Sequence, residues 1–102
     1  MLRTYTTNEV ANIKSRVKYI IDTYKYSTLY LTGSYANNRW ISTDTTPDIK
    51  DKLSKYTLSD YDFYSPDNTT KIIQIPSLNI DILPRCRSNK VLVYENNKIV
   101  NL

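Results

Sequence analysis

Asp60 and Asp62, with a single residue between them, and a third acid at Asp81 are the groups in this sequence whose type and spacing can do chemistry. In an extended segment residues i and i+2 face the same side, so Asp60 and Asp62 project together while Tyr61 and Phe63 project the other way. Side-by-side carboxylates repel one another. A cation between them removes the repulsion and gives the arrangement a purpose. Asp81, flanked by Ile80 and Ile82, repeats the pattern of one acid on an otherwise apolar strand, a setting in which aspartate is disfavoured. The plain alternative is a set of solvent-facing aspartates along a sheet edge. The chain has no histidine, which removes Ser-His-Asp and Cys-His catalysis and the usual histidine zinc sites. Any metal must then be held by oxygen ligands, which points to Mg2+, Mn2+ or calcium.

The second candidate feature is Gly33-Ser34, which contains the only glycine in the protein. Thr28-Leu29-Tyr30-Leu31-Thr32 is a β-prone run without polar alternation, as expected of a strand buried on both faces. A short helix is expected to begin around Ser34-Tyr35-Ala36. Its unpaired N–H groups and dipole would favour an anion, with the Ser34 hydroxyl beside them. The competing reading is a tight turn that needs a glycine. Arg39, Arg85, Arg87 and Lys90 are candidates for phosphate or acceptor contacts, against the simpler reading of ordinary surface charge. Tyr35, Trp40 and Tyr64 can stack on a base, although aromatics in such places serve more often as core or rim.

These groups need elements to position them. Thr6 and Glu9 fit a capping box, with Tyr5 and Val10 placed for a hydrophobic staple. Val10, Ile13, Val17, Ile20, Ile21 and Tyr24 follow at helical spacing, leaving Lys14, Arg16 and Lys18 toward solvent. Thr46-Pro47-Asp48 reads as the start of a second helix, in which Ile49, Leu53 and Tyr56 share a face. From Asp60 onward the period changes to two, predicting strands at 60–64, 71–75, 79–83, 91–95 and 98–101. Asn96-Asn97 is the right length and type for a two-residue hairpin turn. The order describes an α+β fold: a mixed β-sheet with helices packed on one face, in a single domain over residues 1–102.

Composition sets the outer bounds. The 102 residues suffice for one modest core, and 40% hydrophobic with 24% charged residues is the balance of a soluble globule. No apolar run approaches the ~20 residues of a membrane span, and no signal-peptide pattern opens the chain, so a cytoplasmic location is expected. The single cysteine, Cys86, agrees with a reducing compartment. A formal charge of +4 suits an anionic ligand, and equally suits solubility alone. The abundance of Asn, Ile, Lys and Tyr, ten tyrosines among them, is what an A/T-rich genome, such as a viral one, encodes. In that case the location becomes the host cytoplasm.

Three segments together carry a resemblance: Leu31-Thr32-Gly33-Ser34-Tyr35-Ala36, Ser59-Asp60-Tyr61-Asp62-Phe63, and Asn79-Ile80-Asp81-Ile82-Leu83. They resemble the signature strands of the polymerase-β-type nucleotidyltransferases, and among these the minimal nucleotidyltransferases. The resemblance covers roughly residues 27–83 and keeps the motif order. It implies a nucleotidyltransferase palm in which Gly33 and Ser34, with Arg39 nearby, hold a nucleoside triphosphate. Asp60 and Asp62 would bind two Mg2+ or Mn2+ ions, Asp81 would join the one next to the acceptor hydroxyl, and all three would be catalytic. The implied activity is metal-dependent transfer of a nucleoside monophosphate from the triphosphate to a hydroxyl of a protein, an RNA or a small molecule. One version is the antitoxin-like adenylylation of a partner toxin. The chain departs from the family in three ways. Asn37-Asn38 stands where glycine is usual, the interval from Ser34 to Asp60 is long, and the helical domain that often receives the acceptor is lacking. The last departure implies a protein partner or a self-dimer. The rival from another class is an inert binding module on the same fold, acting as inhibitor, nucleotide sensor or assembly factor. A basic nucleic-acid-binding domain ranks behind both, since no concentrated basic stripe exists.

Overall fold

The computed structural model describes residues 5–33, 35–36, 60–87 and 89–102. The first element is helix α1, Thr7–Tyr24. Its capping box is complete: the Glu9 N–H donates to Thr6 Oγ1 at 3.2 Å, and the Thr6 N–H donates to Glu9 Oε1 at 2.9 Å. The helix ends at Lys25, whose left-handed backbone (φ 60°) lets its N–H donate to the Ile21 carbonyl. Ile13, Val17 and Ile20 are buried at the helical spacing. Ile21 and Tyr24 pack partly buried against the same core.

Six strands follow: β1 (Thr28–Thr32), β2 (Tyr61–Tyr64), β3 (Ile73–Ile75), β4 (Ile80–Leu83), β5 (Lys90–Glu95) and β6 (Lys98–Ile99). They form one sheet in the order β3-β4-β2-β1-β5-β6. Every pairing is antiparallel except β2 with β4, which are parallel. The fold is α+β, a mixed sheet with α1 packed on one face. A turn of 3-10 helix at Pro76–Leu78 leads into β4, and Asn79 closes it with a left-handed backbone (φ 53°). Asn96 and Asn97 both take positive φ, 53° and 64°, in the β5–β6 turn, as a type I′ hairpin requires.

The core lies between α1 and the sheet face bearing Leu29, Leu31, Tyr61, Phe63, Ile80, Ile82, Val91 and Val93. Phe63 is its largest fully buried side chain. Burial alternates along β2 and β4, so Asp62, Tyr64, Asp81 and Leu83 stand on the opposite face. β1 departs from the expectation of burial on both faces. Leu29 and Leu31 are buried against α1, whereas Thr28 and Tyr30 on the other face are half-buried and only Thr32 there is buried. The reason is that only one sheet face carries α1.

Arg16 also departs from the expected solvated stripe. Its Nε donates to the Leu78 carbonyl at 2.8 Å and its guanidinium lies 4.0 Å over the Tyr61 ring. Lys14 and Lys18 are exposed, as expected. The predicted helix at 47–56 lies outside the described residues. Among the described residues no helix is long and apolar enough to cross a membrane.

Candidate active site

The parallel pairing of β2 with β4 sets Asp62 directly opposite Asp81. Antiparallel β1 adds Thr32 opposite Asp62, and β5 adds Lys90 opposite Thr32. On the outer side β3 sets Gln74 opposite Asp81. A single row therefore crosses five strands on the face away from α1: Gln74, Asp81, Asp62, Thr32, Lys90. The two acids come from segments linked through β3, and the register brings them together.

Asp62 is half-buried, and its carboxyl is held above the usual carboxylate range. Burial is the main cause, followed by the negative charges of Asp81 and Asp60 and a hydrogen-bonding contact with the Asp81 carboxyl. The register sets the two carboxyls side by side on adjacent strands, and the charge of Asp81 helps to hold the proton on Asp62. Asp60 stands just ahead of β2 and is exposed. It acts on Asp62 through charge. Among the described residues no group of three or more His, Cys, Asp or Glu side chains is gathered closely enough to hold a metal ion. The donor chemistry of the Asp62–Asp81 pair nevertheless fits a hard divalent cation. Mg2+ is commonly held by one or two carboxylates, with substrate phosphates completing its shell.

Gly33 ends β1 beside this pair. Its backbone is left-handed (φ 67°), and a Cβ added there would lie 2.5 Å from Asp62 Oδ2. Glycine is required twice over, for the backbone angle and for the approach. Tyr35 and Ala36, beyond the left-handed Gly33, are helical, as expected of a turn that opens a helix. Ser34 and Arg39 lie outside the described residues, as does Trp40.

Tyr35 has a different role from base stacking. It is 3% exposed, and its ring stacks on Tyr61 with centroids 4.5 Å apart and planes 13° apart. The Tyr5 hydroxyl donates to its carbonyl at 3.0 Å. Burial, then a hydrogen bond with Tyr61, raise its phenol above the ordinary tyrosine value. Tyr35 follows the Gly33 turn closely in sequence and Tyr61 directly precedes Asp62. Their stack, backed by Arg16 on Tyr61, fixes the turn relative to the acid.

Thr32 anchors the other flank. It is 1% exposed, its Oγ1 lies 3.1 Å from Cys86 Sγ, and it donates to the Asn89 carbonyl at 3.3 Å. These contacts tie the end of β1 to the β4–β5 connection, where Arg85 and Arg87 are exposed.

Tyr30, two residues before Thr32 on the same face and packed ring to ring with Tyr64, and Arg16 escaped sequence reasoning. The signal for Tyr30 was its i, i+2 spacing from Thr32, hidden in an apolar-looking run. Arg16 carried no local signal, because its partner Leu78 is distant in sequence. Comparison of the chain with family models, with curated proteins and with solved structures found no match.

Proposed function

We propose that the protein is a metal-dependent nucleotidyltransferase built on a palm-like sheet, moving a nucleoside monophosphate from a nucleoside triphosphate to a hydroxyl. The observation that carries this reading is the apposition of the Gly33 turn to Asp62, with Asp81 in register beside it. A glycine turn that a phosphate could approach, beside two carboxylates paired in register, suits a triphosphate and its counter-cation.

A Mg2+ or Mn2+ ion held by Asp62 and Asp81 would supply charge neutralisation and a more acidic acceptor hydroxyl. The chain's own groups do the rest. Gly33 lets the triphosphate approach the acids, and the adjoining Ser34 hydroxyl and Arg39 are the proposed phosphate contacts. Asp60 adds negative charge at the entrance, where it favours cation capture. The acceptor oxygen attacks the α-phosphorus, and an O–P bond forms as the bond to the bridging oxygen breaks. Pyrophosphate leaves and the hydroxyl proton passes to Asp81. Little covalent help is needed in such a transfer; alignment and charge dominate. Positioning alone can account for ~7–11 kcal/mol of a barrier, so a protein partner or a second copy is proposed to complete the acceptor contacts. The proposed setting is the cytoplasm, the host's if the gene is viral.

Incubation with MgCl2 and each labelled triphosphate, with and without cell lysate, tests the reading. Label transfer by the wild type and its loss in Asp60→Asn/Asp62→Asn support it, whereas transfer persisting in the double variant sinks it. The exposed position of Asp60 outside the acid pair favours a second reading, a nucleotide-binding module without turnover. Metal-dependent triphosphate binding with no transfer under any condition would select it.

A further inference from the structure

A second row lies beside the acid row on the same sheet face, two residues along the strands. Register places Leu83 opposite Tyr64, Tyr64 opposite Tyr30, and Tyr30 opposite Leu92. Two residues of strand span about 7 Å, so the tyrosines stand one short step from Asp62 and Asp81. Their rings form one surface, with centroids 5.6 Å apart and planes 31° apart. Lys90 reaches over both, its Nζ 5.6 Å from the Tyr30 centroid and 5.8 Å from that of Tyr64. Lys90 is exposed, and among the described residues no carboxylate pairs with it.

The direction of β1 gives this surface a role. The strand runs from Tyr30 through Thr32 to Gly33, so the tyrosines and the glycine turn lie on opposite sides of the acid pair. In-line displacement at phosphorus places the leaving group and the attacking oxygen on opposite sides. With the triphosphate at Gly33, the acceptor must enter over the tyrosines. A double aromatic surface carrying a cation that no described carboxylate compensates is suited to a base and its phosphate. A serine or threonine of a protein acceptor offers nothing to stack and no anion, and a tyrosine offers a ring but no anion for Lys90 to meet.

We propose that Tyr30, Tyr64 and Lys90 form the acceptor subsite and that the acceptor is the end of a single-stranded nucleic acid. Its terminal base stacks on the tyrosines, its phosphate meets Lys90, and its terminal hydroxyl faces the acid pair. This rests on the transferase reading for the chemistry, but the binding surface can be tested without it.

The probe is a labelled single-stranded RNA oligonucleotide, titrated in EDTA without triphosphate and followed by fluorescence anisotropy. Tyr64→Leu should bind about tenfold more weakly, as loss of one stacking platform does, and Tyr64→Phe should bind like wild type. Lys90→Gln should weaken binding and reduce the slope of log affinity against log salt by about one. Lys18→Gln, an exposed cation on α1 across the molecule, should change nothing, and circular dichroism confirms that each variant is folded. Absence of oligonucleotide binding, or equal losses in Lys18→Gln and Lys90→Gln, overturns the subsite. Label transfer to protein alone also overturns it, while leaving the transferase intact. Oligonucleotide binding with the expected variant pattern but no transfer keeps the nucleic-acid surface and refutes the transferase.

Discussion

Asp62 carries opposing demands on one carboxyl. Its raised pKa means that the folded state holds the proton more tightly than the unfolded chain. The stabilisation this gives is fully present below the unfolded carboxyl's ordinary range and is lost as pH rises through the folded value. The metal-free protein should therefore melt at a lower temperature at neutral pH than in mild acid on account of this group. Asp62→Asn should raise the neutral-pH melting temperature and flatten that part of the profile, while abolishing any stabilisation by MgCl2 in a thermal melt. Asp67 works in the opposite sense. The Ser27 hydroxyl and N–H each donate to its Oδ2 at 2.7 Å and hold its pKa below the usual range. Its contribution is present above the unfolded value and lost as pH falls through the lower folded one. Asp67→Asn should therefore steepen the gain in stability on acidification. Gly33→Ala has no protonation remedy. The left-handed backbone costs a side-chain-bearing residue roughly 1–2 kcal/mol, and the new methyl would press on Asp62 Oδ2. Urea unfolding should show at least that loss, together with weaker triphosphate binding.

Among the elements, α1 and the β5–β6 hairpin were legible because their signals are local. A capping box lies within four residues, and two asparagines with positive φ suffice for the turn. Thr6→Ala should cost about 1 kcal/mol in chemical denaturation. Asn97→Val should cost about as much, since a β-branched residue resists φ 64°. Strand positions after Asp60 were legible from the period-two pattern, and so was the alternation that puts Asp62 and Asp81 each on the face opposite its apolar neighbours. Asp60, expected to share a strand face with Asp62, instead stands exposed ahead of β2. The lateral order was not legible. Nothing local in Ile80-Asp81-Ile82-Leu83 says that it enters between β2 and β3, parallel to β2. That choice is made by long-range pairing, and it is what turns two separate acids into neighbours. Tyr35 proved to be core, the commoner of the two readings its sequence allowed, but the partner it stacks on, Tyr61, is remote in sequence and had no local signal. An aromatic beside a candidate phosphate turn looks like a ligand contact until its neighbour is known.

At the scale of the whole molecule, one helix-covered face supplies stability and the opposite face bears the candidate chemistry. Phe63→Ala, at the centre of the covered face, should cost about 3–5 kcal/mol and unfold a domain of this size near body temperature. The same division gives the acids an assembly role. A slip of one residue between β2 and β4 would turn one strand's side chains over. Asp81 would then be driven among Phe63 and Leu31, where an unpaired carboxylate is very costly, and Ile80 and Ile82 would be cast into water. The aspartates therefore act as proofreaders of strand alignment, whatever they bind. Asp62→Val/Asp81→Val would relieve repulsion yet remove the penalty for misalignment, and its amide NMR spectrum should reveal more than one sheet register where the wild type shows one.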